Sequence, residues 1–202
     1  MTQGMVRIPD SSYNRAMFLS IATTHRPAAD LGFLLHKHPA RVHETEIGFG
    51  RAYVFYPEAS DERCEAVLLL DIDPIGLVRG RGSNEGLLDQ YVNDRPYAAS
   101  SFLSVAMARA LRTAMAGTSK ERPDLAQQEI PLEATVTPLP ARGGERLVRE
   151  LFEPLGWAAD VEPIEGPGSQ ESRYVTLRLS GSARLSTLLN QLYVLIPVLA
   201  GC

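Results

Sequence analysis

The clearest periodic stretch of the chain is 91–122, YVNDRPYAASSFLSVAMARALRTAMAGTSKER, where apolar side chains recur at spacings of three and four. This spacing places them on one face of a helix. Asn93 or Asp94 can cap its start, Pro96 fits its first turn, and Gly117 can end it in a left-handed turn. Small Ala and Ser side chains on the remaining faces allow close packing. We therefore expect a largely buried central helix.

Short apolar or alternating runs elsewhere predict strands. They occupy 17–22, 42–47, 51–56, 64–72, 132–137, 157–164 and 173–181. The run 64–72, CEAVLLLDI, is the most apolar, and we expect it to lie centrally in its sheet.

Three further segments predict helices: THRPAADLGFLLHKHP, GGERLVRELFEPLG and ARLSTLLNQLYVLIPVLAGC. The second is expected to turn Leu147, Leu151 and Phe152 inward. Pro197 is expected to disturb the last turn of the third, because proline removes a helical hydrogen bond.

The order of these elements predicts an α+β fold. We expect two similar α+β units, with mixed or antiparallel sheets around the central buried helix. Residues 1–16 are polar and aperiodic and are expected to form a flexible extension. The first unit would span 17–125 and the second 126–202, and the two could form one compact domain.

Composition narrows the functional classes. The chain has 202 residues and a net charge of −4, which argues against coating nucleic acid by bulk attraction. Cys64 and Cys202 provide no disulfide framework. Arg109 and Arg112 interrupt the central helix, which argues against a membrane span. With no visible secretory signal, we expect a cytoplasmic protein.

The segment VLLLDIDPIGLVRGRGSNEG has the order of a nucleotide or S-adenosylmethionine site, namely a strand, an acidic residue and a glycine-rich turn. Such a site needs its glycines directly after the strand, where amides at a helix start face the ligand. Here Gly80, Gly82 and Gly86 follow several residues late. The loop 76–86 is therefore either a ligand-binding loop or a flexible surface loop.

His36 and His38 flank Lys37, with His25 and His43 nearby. A spacing of two on a helix points side chains apart, so this is not a ready metal pair. We expect neither a metal ion nor a bound cofactor in this chain.

Arginine and tyrosine side chains cluster around the two ends of the central helix. Such residues can grip phosphates and bases, anchor a protein interface, or form a solvated rim. We favour the polar run at the helix start as a contact surface, because a rigid helix holds it in place. The candidates for partner contact are Arg79, Arg81, Asn93, Asp94, Arg95, Tyr97, Lys120 and Arg122.

Several long strings carry a family resemblance. They are MFLSIATTHRPAADLGFLLHKHP, DQYVNDRPYAASSFLSVAM, SKERP, LFEPLG and LYVLIPVL. Together they resemble the N-terminal domain of the bacterial Hen-type RNA 3′-terminal ribose 2′-O-methyltransferases, from Met17 to Leu199.

The resemblance implies a role in RNA repair beside a bacterial polynucleotide kinase-phosphatase-ligase. In the family, the N-terminal half binds and activates the ligase. The C-terminal half methylates the RNA with S-adenosylmethionine and a metal ion held by a Glu-x-x-Glu-His pattern and another His. This chain lacks that pattern. We expect a noncatalytic, ligase-activating fragment; the alternatives are an independent enzyme using loop 76–86 and a direct RNA-binding module.

Overall fold

The computed structural model describes residues 17–72, 95–141, 143–164 and 174–201, with only the backbone for 95–100, 200 and 201. The predicted extension 1–16 and the loop 76–86 lie outside the described residues. Seven strands form one antiparallel sheet. The strands are β1 (Phe18–Thr23), β2 (His43–Ile47), β3 (Gly50–Ala59), β4 (Cys64–Ile72), β5 (Ile130–Pro140), β6 (Ala158–Pro163) and β7 (Tyr174–Ala183).

The spatial order of the strands is β2-β3-β4-β1-β5-β7-β6. The most apolar strand, β4, is interior, but β1 takes the central position that we predicted for β4. The reason is connectivity: β1 pairs with β4 on one side and with β5 on the other, so it joins the strands of both predicted units. In each half, the first strand lies beside the last strand of that half.

Six helices in the described part of the chain accompany the sheet. They are α1 (Leu31–Leu35), α2 (Arg95–Ala110), α3 (Arg112–Met115), α4 (Pro123–Ala126), α5 (Gly144–Phe152) and α6 (Leu185–Gly201). The α+β class is thereby confirmed. Single 3₁₀ turns precede α1 at Ala28–Asp30 and follow α5 at Glu153–Leu155.

The predicted central helix is divided. It leaves helical geometry at Leu111, which has φ −117° and ψ 18°, and α3 adds one more turn before Gly117 at φ +70°. The side chains of Leu103, Ala106 and Met107 are fully buried, as the apolar stripe predicted. The stripe identified the buried face but could not show the break, because the sequence LRTAM suits a helix.

Two details of the other helices differ from expectation. In α5, Phe152 is fully buried as predicted, but its buried companion is Val148, while Leu147 and Leu151 are partly buried at the edge of the core. In α6, the helix continues past Pro197 to Gly201 without interruption.

The two faces of the sheet differ. The helices of the described residues pack on one face and bury most of its strand positions, while Ser20 and Ala22 of the central strand β1 are buried on the opposite side as well. The alternate positions form the other face, which we term the open face. One row of paired positions across the open face contains Phe55, Val67, Ser20, Thr135 and Arg178. No helix of the described residues packs there, so the described part of the chain forms two layers.

Candidate functional site

The predicted contact residues fall into three groups. Arg79, Arg81, Asn93 and Asp94 lie outside the described residues. Arg95 and Tyr97 lie on the first turn of α2, where only the backbone is described. Lys120 and Arg122 lie in the connection between α3 and α4, and their surroundings are described.

Arg122 holds this connection to the start of α1. Its Nε donates a hydrogen bond to Oδ2 of Asp30 at 2.6 Å, and its guanidinium carbon lies 4.8 Å from the ring centre of Phe33. The Asp30 side chain is only 12% exposed, against 42% for Arg122. The hydrogen bond and the charge of Asp30 raise the pKa of Arg122. The guanidinium therefore already has a structural partner inside the fold.

Two more contacts tie the same connection to the end of α1. Nε2 of His36 lies 2.8 Å from the carbonyl oxygen of Thr118, and Oγ of Ser119 donates to the carbonyl oxygen of Phe33 at 3.2 Å. Lys120 follows directly and is exposed. Of the pair, Lys120 is thus the side chain that is presented to solvent from a well-anchored segment.

The histidines make backbone contacts. His38 Nδ1 accepts from the amide of Ala40, and His43 Nε2 lies 3.1 Å from the carbonyl oxygen of His38. Within the described residues, no three His, Cys, Asp or Glu side chains converge as metal ligands. Burial lowers the pKa of Lys37, which lies in the same loop.

The open face contains arginines that each contact more than one carboxylate, a feature that the sequence analysis missed. Arg63 lies among three of them, donating to Glu133 Oε2 at 2.7 Å and lying within 4 Å of Glu58 and Glu65. These four residues come from the β3–β4 turn, both flanking strands and β5. The alternation in CEAVLLLD and LEATVT marks Glu65 and Glu133 as facing away from the core, but it gives no register between the strands.

A second arginine bridges the edge of the open face. Arg178 of β7 lies 2.8 Å from Glu162 and 3.4 Å from Asp160, both on the edge strand β6. At the opposite edge, Nε of Arg51 lies 3.3 Å from Glu44 of β2. Each ion pair is at least partly exposed, so none is a major source of stability.

The centre of the open face is apolar and hydroxylated. Its apolar side chains, all partly buried, are Phe18, Tyr53, Phe55, Val67 and Leu69. Beside them, the hydroxyl groups of Thr137 and Thr176 are hydrogen-bonded at 2.9 Å. An apolar centre within a charged rim is the usual anatomy of a protein interface.

The buried titratable groups are not arranged for proton transfer. Cys64 is fully buried, and burial raises the pKa of its thiol to about 11. Burial also raises the pKa of Tyr56, whose hydroxyl donates to the carbonyl oxygen of Lys37 at 3.0 Å. Both groups stay protonated at neutral pH, which suits a structural role. No described helix is long and apolar enough to cross a membrane.

These features define a class: an α+β domain with one antiparallel sheet, on which the described helices pack on one face and charged side chains surround apolar ones on the other. Comparison with protein families goes further. Residues 17–202 match the family described as the ligase-Pnkp-associating region of Hen1 in RNA repair. The chain belongs to this family, which confirms the resemblance seen in its sequence.

Solved structures agree at the level of the fold. A chain from the structure of the Pnkp1/Rnl/Hen1 RNA repair complex superimposes with a TM-score of 0.56 at 15% identity, over 90% of this chain and 42% of that chain. A chain from another structure of the Pnkp1/Rnl/Hen1 complex gives 0.51 and 15%, over 88% and 41%. This chain therefore spans about two fifths of their length. A comparison with curated proteins gives no match.

Proposed function

We propose that this chain is a noncatalytic binding domain that associates with the ligase of a bacterial polynucleotide kinase-phosphatase-ligase and raises its activity during RNA repair. The observation that carries the proposal is the family match over residues 17–202, whose description names both RNA repair and association with the ligase. The fold likeness to chains from two solved Pnkp1/Rnl/Hen1 complexes supports it.

The geometry is consistent with binding in place of catalysis. In the described residues, the buried thiol and phenol are protonated, and several exposed charges of the open face form ion pairs. Ion pairs around an apolar centre provide specificity for a partner. S-adenosylmethionine and a divalent metal belong, in this proposal, to a methyltransferase half of the parent protein.

The decisive experiment combines binding and activity. The purified chain is titrated into the candidate ligase, and both the affinity and the rate of sealing of nicked RNA are measured. We expect a saturable rise in the sealing rate that follows the binding curve. Absence of binding at micromolar concentrations contradicts the association, while binding without a faster rate contradicts only the activation.

A further inference from the structure

The edge strands of the open face are acidic. The strand pairing shows which side of the sheet their side chains occupy. Glu44 lies opposite Tyr53 and Asp160 lies opposite Arg178, and both Tyr53 and Arg178 belong to the open face. The carboxylates on the open side of the two edge strands are Glu44, Glu46, Asp160 and Glu162.

The interior of the open face adds further carboxylates. Glu65 and Glu133 both lie opposite Ala22 of the central strand, and Glu58 lies opposite Glu65. Asp71 pairs with Arg51 near the end of β4. With the edge strands, the described part of this face presents eight carboxylates.

The basic residues of the same face are the arginines 51, 63 and 178. Three guanidinium groups against eight carboxylates leave a formal excess of five negative charges on one side of the sheet. This excess is larger than the net charge of −4 of the whole chain. The described part of the open face thus carries a clear excess of negative charge.

The negative charge of the open face indicates which kind of partner can bind there. A phosphate backbone would be repelled, because nucleic-acid recognition relies on basic residues that displace counterions. A basic protein surface would be attracted, since complementary potentials steer association and set specificity. A ligase that handles RNA must itself carry basic residues, which makes it a suitable partner in charge.

We propose that the open face is the surface on which this chain binds a basic surface of the ligase, with the apolar centre around Tyr53, Val67 and Phe18 buried in the contact. This inference rests on the proposed function. It differs from the sequence-based choice of Arg95 and Tyr97, which lie on α2 in the helical layer. Charged rim residues set the rate and salt dependence of association, while the apolar centre excludes water.

The test uses a charge-reversed triple variant, Glu44→Lys with Glu133→Lys and Glu162→Lys. These three side chains are between 47% and 62% exposed. Each arginine that they contact keeps a neighbouring carboxylate: Arg63 keeps Glu58 and Glu65, Arg178 keeps Asp160, and Arg51 keeps the nearby charge of Glu46. The fold should therefore survive, which a near-normal melting temperature would verify.

A matched control carries the same change in net charge on the helical side. Glu121→Lys, Asp124→Lys and Glu150→Lys alter exposed carboxylates of the α3–α4 connection, α4 and α5. The affinity of each variant for the ligase is measured by calorimetry at low and at high salt. We expect the open-face variant to bind at least about tenfold more weakly at low salt, the control to stay within about twofold, and the wild-type affinity to fall with salt.

The outcomes are distinguishable. Equal binding by the wild type and both folded variants overturns the open-face inference and leaves the proposed function standing. Equal weakening by both triples also overturns it, because the effect would then follow net charge alone. A wild-type chain that does not bind the ligase overturns the proposed function itself. Tight, salt-sensitive binding of single-stranded RNA by the wild type, strengthened in the open-face variant, would also overturn the inference, because the open face would then be a surface for RNA and not for the ligase.

Discussion

The backbone conformation at Gly117 explains why glycine is needed at this position. Its φ is +70°, and a Cβ atom would lie 3.0 Å from Oγ and 3.3 Å from Cβ of Ser186 in α6. Gly144, at φ +66°, has no atom within 4 Å of the corresponding position. A Cβ atom at position 144 would cause backbone strain alone, whereas a Cβ atom at position 117 would cause both backbone strain and a steric contact. Comparing the two positions therefore separates these effects.

We predict that Gly117→Ala lowers the free energy of unfolding more than Gly144→Ala. The positive φ costs a residue with a Cβ about 1–2 kcal/mol, and Gly117 adds the contact with Ser186. Urea unfolding of both variants against the wild type measures the difference. Equal losses would show that Ser186 moves aside without cost.

Cys64 illustrates how burial controls reactivity. Its thiol is inaccessible, and burial raises its pKa from 9.0 to about 11. At pH 8 the thiolate fraction falls by about a hundredfold relative to the ordinary value, and the thiolate is the reactive form. In a Cys202→Ser protein, we predict that Cys64 reacts with a thiol reagent at least about a hundred times more slowly when folded than in denaturant. A fast reaction of folded protein would place Cys64 at the surface.

The raised pKa of Cys64 also affects how the free energy of unfolding depends on pH. Because the thiol pKa is higher in the folded than in the unfolded state, the folded state favours the protonated form. Its contribution is complete below the unfolded pKa, near 9, and is lost as the pH rises toward about 11. The loss belongs to the alkaline range and leaves neutral pH unaffected.

Among the elements, α2 is the one whose buried residues were predicted best from the pattern of apolar positions. Its three-four stripe identified the residues that are buried, because the helical period alone determines which side chains share a face. Leu103 is fully buried, whereas Val105, two positions along, is 41% exposed. Neighbouring positions on one helix thus have opposite environments.

We predict that Leu103→Asp prevents stable folding, since burial of an unpaired carboxylate costs several kcal/mol. Val105→Asp introduces the same charge on the exposed side of α2 and should shift the melting temperature by only a few degrees. Circular dichroism melting curves compare the two. An unchanged curve for Leu103→Asp would contradict the placement of α2 in the core.

The strands show where pattern stops being sufficient. Alternation placed most strands within a few residues and separated their inward from their outward positions. It could not reveal that Arg63 meets Glu133, because the two residues are 70 positions apart and meet only through the order β4-β1-β5. The open face depends on long-range register, which no local period encodes. Sequence patterns could suggest candidate residues around α2, but they could not indicate the open face.

At the scale of the whole molecule, the two halves are joined by continuous structure. β1 and β5 pair over six residues each, and α2 packs along α6 on the covered face. Ser104 of α2 donates a hydrogen bond to the carbonyl oxygen of Tyr193 in α6 at 3.2 Å. The predicted division near residue 125 therefore lies between two strands that are hydrogen-bonded to each other, β1 and β5, and between two helices that pack together, α2 and α6.

We predict a single unfolding transition. Residues 17–125 and 126–202 share one sheet and one core, so neither half should lose structure alone. Far-ultraviolet circular dichroism and the fluorescence of Trp157, which is buried in the second half, should give coincident denaturation curves. Two separated transitions would instead support independent units.

We also predict that this chain transfers no methyl group to RNA, because its sequence lacks the Glu-x-x-Glu-His pattern that the resemblance to Hen-type methyltransferases implies for a metal site. Labelled S-adenosylmethionine and RNA with a 3′-terminal hydroxyl provide the assay, with a full-length family member as the positive control. Incorporation that persists through repurification of the chain would contradict this prediction.

The acidic edge strands have a consequence for self-association. An edge strand exposes unpaired amide and carbonyl groups that can pair with the same edge of another copy. Here β2 is only five residues long and carries Glu44 and Glu46, while β6 carries Asp160 and Glu162 and ends in Pro163. Two copies approaching edge to edge would bring like charges together along each strand. The residues that we propose attract a basic partner would thus also keep copies of this chain apart, so that the sheet stops at seven strands.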